Sequence, residues 1–362
     1  MKRSIIIFTG RYLPGHKDGG PLRTLINVTD ALGDEYNFHI VCLDRDHGDT
    51  EAYSNIRRDE WNQVRKAKVW YVQPGGFTDE LILKLVDGMD IVYLCSFFDD
   101  YGYKALLLQR RGKITCPIFI ASMGVFAEGA ISQKALKKKI FIAGCKMLGL
   151  LKDVTWSVTS HHEVEDLKQV IGNKARYIIA EDLPRMNIPG RKESRHTPLR
   201  VVFLSRICEH KGLDIAIDAI RESEIECKFS IFGPVQEQDY WEKCVGKLQG
   251  LDWEYGGDVP SDEVQEKLSH QDVMILPTKS ENYGHVVFEA LSVGCIPLIS
   301  DTTPWILGKA GMVVQRNVNS FAEALRLLKK SDLTEMSSEA IELARKKVRE
   351  SKRYTGYRTI FG

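Results

Sequence analysis

The sequence predicts an α/β protein built from two parallel-sheet domains, and three observations carry that expectation. At 362 residues the chain is long for a single core and suits two domains. Short apolar runs bounded by turn residues, as in buried parallel strands, alternate along it with stretches of helical periodicity. Pro189-Gly190-Arg191-Lys192-Glu193-Ser194-Arg195-His196-Thr197-Pro198 is polar, charged and bracketed by prolines, and reads as a linker. The expected division is a first domain over 1–190, a linker over 191–199, a second domain over 200–338 and a closing helical stretch over 339–362.

Composition narrows the classes of partner. Lys+Arg 50 against Asp+Glu 49 leaves a formal net charge of +1, which excludes nucleic-acid binding by bulk charge. The eight cysteines are scattered without a C-x-x-C pair. Cys42, Cys95 and Cys295 fall in or beside apolar runs, where a free thiol packs as a small hydrophobe, so a reducing cytoplasm is expected. Met1-Lys2-Arg3-Ser4 leads into a four-residue apolar run, too short for a signal-peptide core, and no run approaches a membrane span. A soluble or peripheral protein is expected.

Ile5-Ile6-Ile7-Phe8 is a first strand, and the loop after it ends in Asp18-Gly19-Gly20-Pro21 before a helix carrying Leu22, Leu25, Ile26, Val28 and Leu32. A strand, a glycine loop and a helix start form one arrangement that receives anions. Phe38 to Leu43 is a second strand, followed by Asp44-Arg45-Asp46. A D-x-D in that position can hold a divalent cation, but the motif is short and common by chance, and no metal is assigned to it. Lys68 to Val72, Ile91 to Leu94 and Ile118 to Ala121 continue the strands, with helices over Leu81 to Val86 and Tyr103 to Leu108. Lys134 to Lys152 is basic and apolar, with two readings: a helix lying on an anionic membrane surface, or a core helix with a solvated basic edge. After strand Val154 to Val158, Ser160 and Glu163 form a capping box. His161 and His162 point to different helix faces, lack metal-ligand spacing and are expected in solvent. Tyr177 to Ala180 closes the first sheet.

In the second half, strand Val201 to Leu204 leads into Ser205-Arg206-Ile207-Cys208-Glu209-His210-Lys211-Gly212-Leu213, with a helix over Ile215 to Ile220. Arg206 and Lys211 on one loop suit a diphosphate, the guanidinium gripping two oxygens and the ammonium acting as a point charge. Lys228 to Phe232 ends at the same face in Gly233-Pro234. Val273-Met274-Ile275-Leu276 and Ile296-Pro297-Leu298-Ile299 are buried strands. Between them runs Glu281-Asn282-Tyr283-Gly284-His285-Val286-Val287-Phe288-Glu289-Ala290-Leu291. Gly284 lets backbone N–H groups at the helix start approach a phosphate. Glu281 in the loop and Glu289 about a turn and a half into the helix can then address different parts of one ligand, as in a sugar nucleotide. Their bland alternative is a solvated loop residue and a surface helix residue. Against it, Glu289 has apolar neighbours on both sides, and a carboxylate there needs a partner.

The string from Glu281 to Leu291 resembles the E-x7-E signature of retaining glycosyltransferases of the B-type fold, family 4, and Ser205 to Leu213 resembles their G-R-x(4)-K-G-x pattern. The resemblance implies two Rossmann-like domains facing each other across a cleft, nucleotide held by the second and acceptor by the first. A C-terminal helix from Glu339 to about Lys352 would cross back onto the first. It implies catalytic roles for Glu281, Lys211 and Arg206. Donor contacts fall to Glu289, Gly19, Gly20, Asn282, Tyr283, Gly284, His285 and Gly233, with Trp253 to Pro260 as the loop that receives the base. No cofactor or metal is implied; the donor is a nucleotide-diphosphate sugar, UDP-linked by expectation, and the acceptor a saccharide or lipid-linked saccharide in bacterial polysaccharide, lipopolysaccharide or glycolipid synthesis. Two stretches depart from the pattern. Ser122-Met123-Gly124-Val125-Phe126 stands where relatives carry a basic residue, and Glu181-Asp182-Leu183-Pro184 where they carry an Asn-Gly turn. Neither G-x-G-x-x-G nor G-x-x-x-x-G-K-[ST] occurs at a strand-to-helix turn, which excludes dehydrogenase and P-loop sites. The alternatives are a sugar-nucleotide epimerase on the same fold and an inactive sugar-nucleotide-sensing module.

Overall fold

The structure, a computed structural model, describes residues 2–127, 131, 135–190, 197–353 and 355–362. The chain divides into two units, Met1–Leu183 with Tyr354–Gly362, and Pro184–Arg353. Most of the expected linker, 191–196, lies outside the described residues, as does Lys134.

The first unit is an eight-stranded sheet. Its strands are β1 (Ser4–Phe8), β2 (Asn37–Leu43), β3 (Trp61–Val64), β4 (Ala67–Val72), β5 (Ile91–Leu94), β6 (Ile118–Ala121), β7 (Val154–Val158) and β8 (Arg176–Ile179), in the order β3-β4-β2-β1-β5-β6-β7-β8. All neighbours are parallel except β3, which pairs antiparallel with β4. Ile5, Ile6 and Ile7 are fully buried, as a central parallel strand covered on both faces requires. The hairpin into β4 turns at Arg65-Lys66, with Arg65 at φ 49°, and stacks Trp61 edge-on to Trp70 at 5.4 Å.

Helix Gly20–Leu32 packs through Leu22, Leu25, Ile26 and Val28. Its polar side chains fasten the end of the unit: Asn27 Nδ2 donates to the Leu183 carbonyl at 2.8 Å, and Thr24 Oγ1 to Asp182 Oδ1 at 2.8 Å. Of the expected capping box one half forms, the Glu163 N–H donating to Ser160 Oγ at 3.2 Å. The Glu163 carboxylate turns inward instead, accepting from Thr159 N at 2.6 Å, Thr159 Oγ1 at 3.0 Å and Gly124 N. Those loop donors need a buried acceptor, and Glu163 is 4 % exposed.

The second unit is a six-stranded, wholly parallel sheet of β9 (Leu199–Leu204), β10 (Cys227–Phe232), β11 (Asp252–Tyr255), β12 (Val273–Leu276), β13 (Ile296–Ser300) and β14 (Met312–Val314), ordered β11-β10-β9-β12-β13-β14. Three expectations need correction. The boundary falls after Leu183 rather than at 190, because Met186 and Ile188 pack on the second core and Arg185 Nη1 donates to the Ser261 carbonyl at 3.2 Å. Trp253 to Tyr255, expected in a loop, lies within β11, which pairs with β10 along its length. The long helix runs Leu333–Arg353 and belongs to the second unit, burying Leu333, Ala340, Ala344 and Val348 there. The return to the first unit is made by the short helix Gly356–Phe361, whose Phe361 packs on Phe38 and Tyr36 at 5.5 Å.

Part of Asp182 reaches solvent, but its carboxyl is enclosed. Desolvation pushes it up to about 7, opposed by the Thr24 hydroxyl and helped by the Glu163 charge. A folded-state value above the unfolded one favours the neutral form. The stabilisation is full below about pH 4 and is lost as pH rises to about 7. Asp182→Asn keeps an oxygen for Thr24 and removes the charge. It should raise the melting temperature of the protein at pH 8, by a stability gain on the order of 2 kcal/mol or more, and far less at pH 5. Equal gains at both pH values, measured by thermal unfolding, would refute a titrating Asp182.

Candidate functional site

In the second sheet β9 and β12 are neighbours, yet the chain leaves them in opposite directions, β9 toward β10 and β12 toward β13. Open parallel sheets take their ligands outside the carboxyl ends of the strands at this divergence. Two loops stand there, 205–212 after β9 and 277–284 after β12.

These loops are sewn together along their length. Lys279 N donates to the His210 carbonyl at 2.8 Å, and His210 Nε2 donates to the Ser280 carbonyl at 3.1 Å. Lys279 Nζ pairs with Glu209 Oε1 at 2.6 Å. Gly212 sits at φ 75°, and a Cβ there would lie 2.2 Å from the Pro277 carbonyl oxygen, so glycine is required for the approach. At the centre Lys211 Nζ meets Glu281 Oε1 at 2.5 Å, with side chains 10 % and 13 % exposed. Lys211 has three N–H donors, so Glu281 aims the ammonium without exhausting it. Burial holds the His210 imidazole below its ordinary pKa, and the Lys211 charge lowers it further, so the ring is neutral at pH 7.

The other expected residues are placed around this pair. Arg206 is exposed and donates from Nη1 to Gln236 Oε1 at 3.0 Å, which ties it to the loop after β10. Gly233, at φ 127°, opens that loop; a Cβ there would lie 2.0 Å from the Ser205 carbonyl oxygen. Gly284, at φ 77°, is the N-cap of helix His285–Ser292, leaving amides at a helix start beside Glu281. The Tyr283 ring lies between His285 at 4.8 Å and Trp305 at 5.4 Å, and Trp305 Nε1 donates to the Tyr283 carbonyl. Asn282 is exposed, while Glu289, on the first turns of the helix, is 3 % exposed. Gly19 and Gly20 start helix Gly20–Leu32 of the first unit, Gly19 at φ 63°.

The remaining sequence candidates in the first unit are engaged in structure. Asp44 is fully buried and paired with Arg45 Nε at 2.9 Å and Arg58 Nε at 2.7 Å. Asp46 accepts from the amides of His16 at 2.7 Å and His47 at 2.8 Å. Those partners make the D-x-D a brace for its own loops. The Gly124 amide is taken by Glu163, and Met123 stands at φ 44°. His161 and His162 are exposed, as expected.

Sequence reasoning missed Thr278 and His210. Thr278 is fully buried; its carbonyl accepts from Ser300 Oγ at 2.8 Å and Thr302 Oγ1 at 2.7 Å, and its own hydroxyl donates to the Ser280 carbonyl at 2.9 Å. A hydroxyl directly after a buried strand and proline was the available signal. For His210 it was the place in the string, next to Lys211.

Residues 185–347, a little under half of the chain, match the family model described as glycosyl transferases group 1. Among curated proteins, the putative colanic acid biosynthesis glycosyltransferase WcaL of Escherichia coli K12 is 29 % identical over 168 residues, 42 % of this chain and 41 % of that one. The chain thus spans about two fifths of the length of the curated relatives it matches. Solved structures match over both units. HepE of Anabaena, in complex with UDP and glucose, has a TM-score of 0.71 at 14 % identity, covering 98 % of this chain and 96 % of that one. WaaG, a glycosyltransferase involved in lipopolysaccharide biosynthesis, has a TM-score of 0.63 at 14 % identity over 94 % and 95 %. The architecture is the two-domain B-type glycosyltransferase fold expected from the sequence.

Proposed function

Because its second unit belongs to the group 1 glycosyl transferases, we propose that the chain moves a sugar from a nucleotide-diphosphate sugar to a saccharide or lipid-linked acceptor, with retention at the anomeric carbon. The observation that carries the proposal is the Lys211–Glu281 pair at the divergence of β9 and β12, beside a glycine-led helix start. The colanic acid and lipopolysaccharide relatives support a place in bacterial surface polysaccharide synthesis, and a neighbouring structure bound to UDP supports a UDP-linked donor. A cytoplasmic location agrees with the eight free cysteines.

In this reading the diphosphate lies against Lys211, Arg206 and the amides of residues 283–285. A nucleoside diphosphate leaving an anomeric carbon develops negative charge, which fixed cations and helix-end amides can meet without a metal. Glu281 holds Lys211 in place and turns its other oxygen to the donor sugar hydroxyls. The departing phosphate oxygen takes the acceptor proton while the acceptor oxygen bonds the anomeric carbon on the face just vacated. Glu289, carried down the helix away from the phosphate turn, accepts from the adjacent ribose hydroxyls.

Proton NMR of the product decides the stereochemistry: the anomer of the donor should persist, and an inverted product would end the retaining reading. Charge-assisted contacts are worth about 1.5–3 kcal/mol each, so Lys211→Ala and Arg206→Ala should each slow transfer by about ten- to several-hundredfold. Serving one diphosphate, they should not add, and turnover should survive EDTA. Loss of activity on chelation, restored by manganese and absent from Asp44→Ala, would move the chemistry to the D-x-D. Glu289→Ala should weaken nucleoside diphosphate and sugar nucleotide alike in calorimetry; unchanged nucleotide affinity would remove Glu289 from the ribose.

A further inference from the structure

We propose that Trp305 is a positioning residue for the phosphate-binding turn: its indole N–H fixes the peptide between Tyr283 and Gly284 so that the Gly284 N–H faces the diphosphate. This rests on the reading of residues 283–285 as the seat of the diphosphate, and adds what sets the direction of their amides. Trp305 stands on the loop after β13, between Pro304 and Ile306. Ile306 is 88 % exposed, whereas Trp305 is 6 % exposed and lies in the core of the second unit, edge-on to the Tyr283 ring at 5.4 Å.

The loop that carries it is anchored at both ends. Thr302 Oγ1 donates to the Thr278 carbonyl at 2.7 Å, Thr303 Oγ1 donates to the Ser300 carbonyl at 3.1 Å, and Leu307 is buried beyond the indole. The indole therefore has a fixed origin, and the loop 277–284 is braced by it as well as by the seam with 205–212. A trans peptide is planar, with its C=O and N–H pointing opposite ways. Tying the Tyr283 carbonyl to the indole thus aims the Gly284 N–H away from the indole. The next carbonyl is taken too, Gly284 O accepting from Val287 N at 2.9 Å. With both carbonyls occupied, the turn presents N–H groups.

Left untied, the same peptide has a second orientation. Residue 284, at φ 77°, is a glycine and tolerates either sign of φ, so the peptide plane can turn over and bring the Tyr283 carbonyl to where the N–H stood. A carbonyl oxygen there repels phosphate. The indole hydrogen bond excludes that state before a ligand arrives, so no binding energy is lost to turning the peptide. A buried indole N–H needs an acceptor wherever it lies, and a role confined to packing would lower stability and weaken every ligand alike.

The test is calorimetry of the full chain with three probes: UDP, inorganic pyrophosphate and uridine. Trp305→Phe keeps an aromatic ring and removes the donor. It should weaken UDP and pyrophosphate each by about tenfold and leave uridine within about twofold of the parent. Phenylalanine also removes buried ring area, so the same titrations are made with 3-benzothienylalanine in place of Trp305, which keeps the bicyclic shape and puts sulfur where the N–H was; it should show the same loss. Unchanged binding of UDP and pyrophosphate by the benzothienyl protein would overturn the positioning role while leaving the diphosphate site in place, as would an equal weakening of all three probes. A parent that binds neither UDP nor pyrophosphate would remove the diphosphate site itself, and the role of Trp305 with it.

Discussion

A wholly parallel sheet must return its chain across one face or the other after every strand, and the site exists because that choice reverses once, between β9 and β12. Two loops are thereby left side by side with no strand connection between them, and they hold together by side chains and single amides. The bonds from His210 to Ser280 and from Lys279 to His210 and Glu209 do this work. The nearly buried Lys211–Glu281 pair lies within the same seam. An ammonium and a carboxylate withdrawn from water are held by each other, and the lysine keeps N–H donors beyond the one that the carboxylate takes.

The glycines are the second part of that constraint. Gly212 and Gly233 stand where a single extra carbon would collide with a carbonyl of the adjoining loop. They set how close the loops come, and so where Lys211 and Arg206 point.

Much of this was legible in the sequence. The buried runs Val273 to Leu276 and Ile296 to Ile299 had no polar position to confuse them, and the string from Glu281 to Leu291 gave loop and helix together. Other elements carried no such signal. β3 enters its hairpin through Arg65-Lys66, with neither glycine nor asparagine to mark the turn, and β14 is three residues long at the sheet edge. The inward role of Glu163 was hidden because a glutamate three residues after a serine reads as a cap, whereas the donors it satisfies, Gly124 and Thr159, come from loops that meet only in the fold. The boundary was misread for a related reason: charge and proline mark 189–198, but Met186 and Ile188 had already joined the second core.

The first unit is not continuous in the chain. Its last helix, Gly356–Phe361, follows the whole of the second unit, and Arg358 pairs there with Glu35 at 2.7 Å while Arg3 Nη1 donates to the Phe361 carbonyl at 3.3 Å. During synthesis the rings of Tyr36, Phe38 and Tyr93 emerge before the whole of the second unit, and the ring of Phe361 that covers them emerges after it. Domains generally complete in the order they emerge. Here the first unit is completed only after the second, which is inserted into it, and its closure records that the unit between has been made.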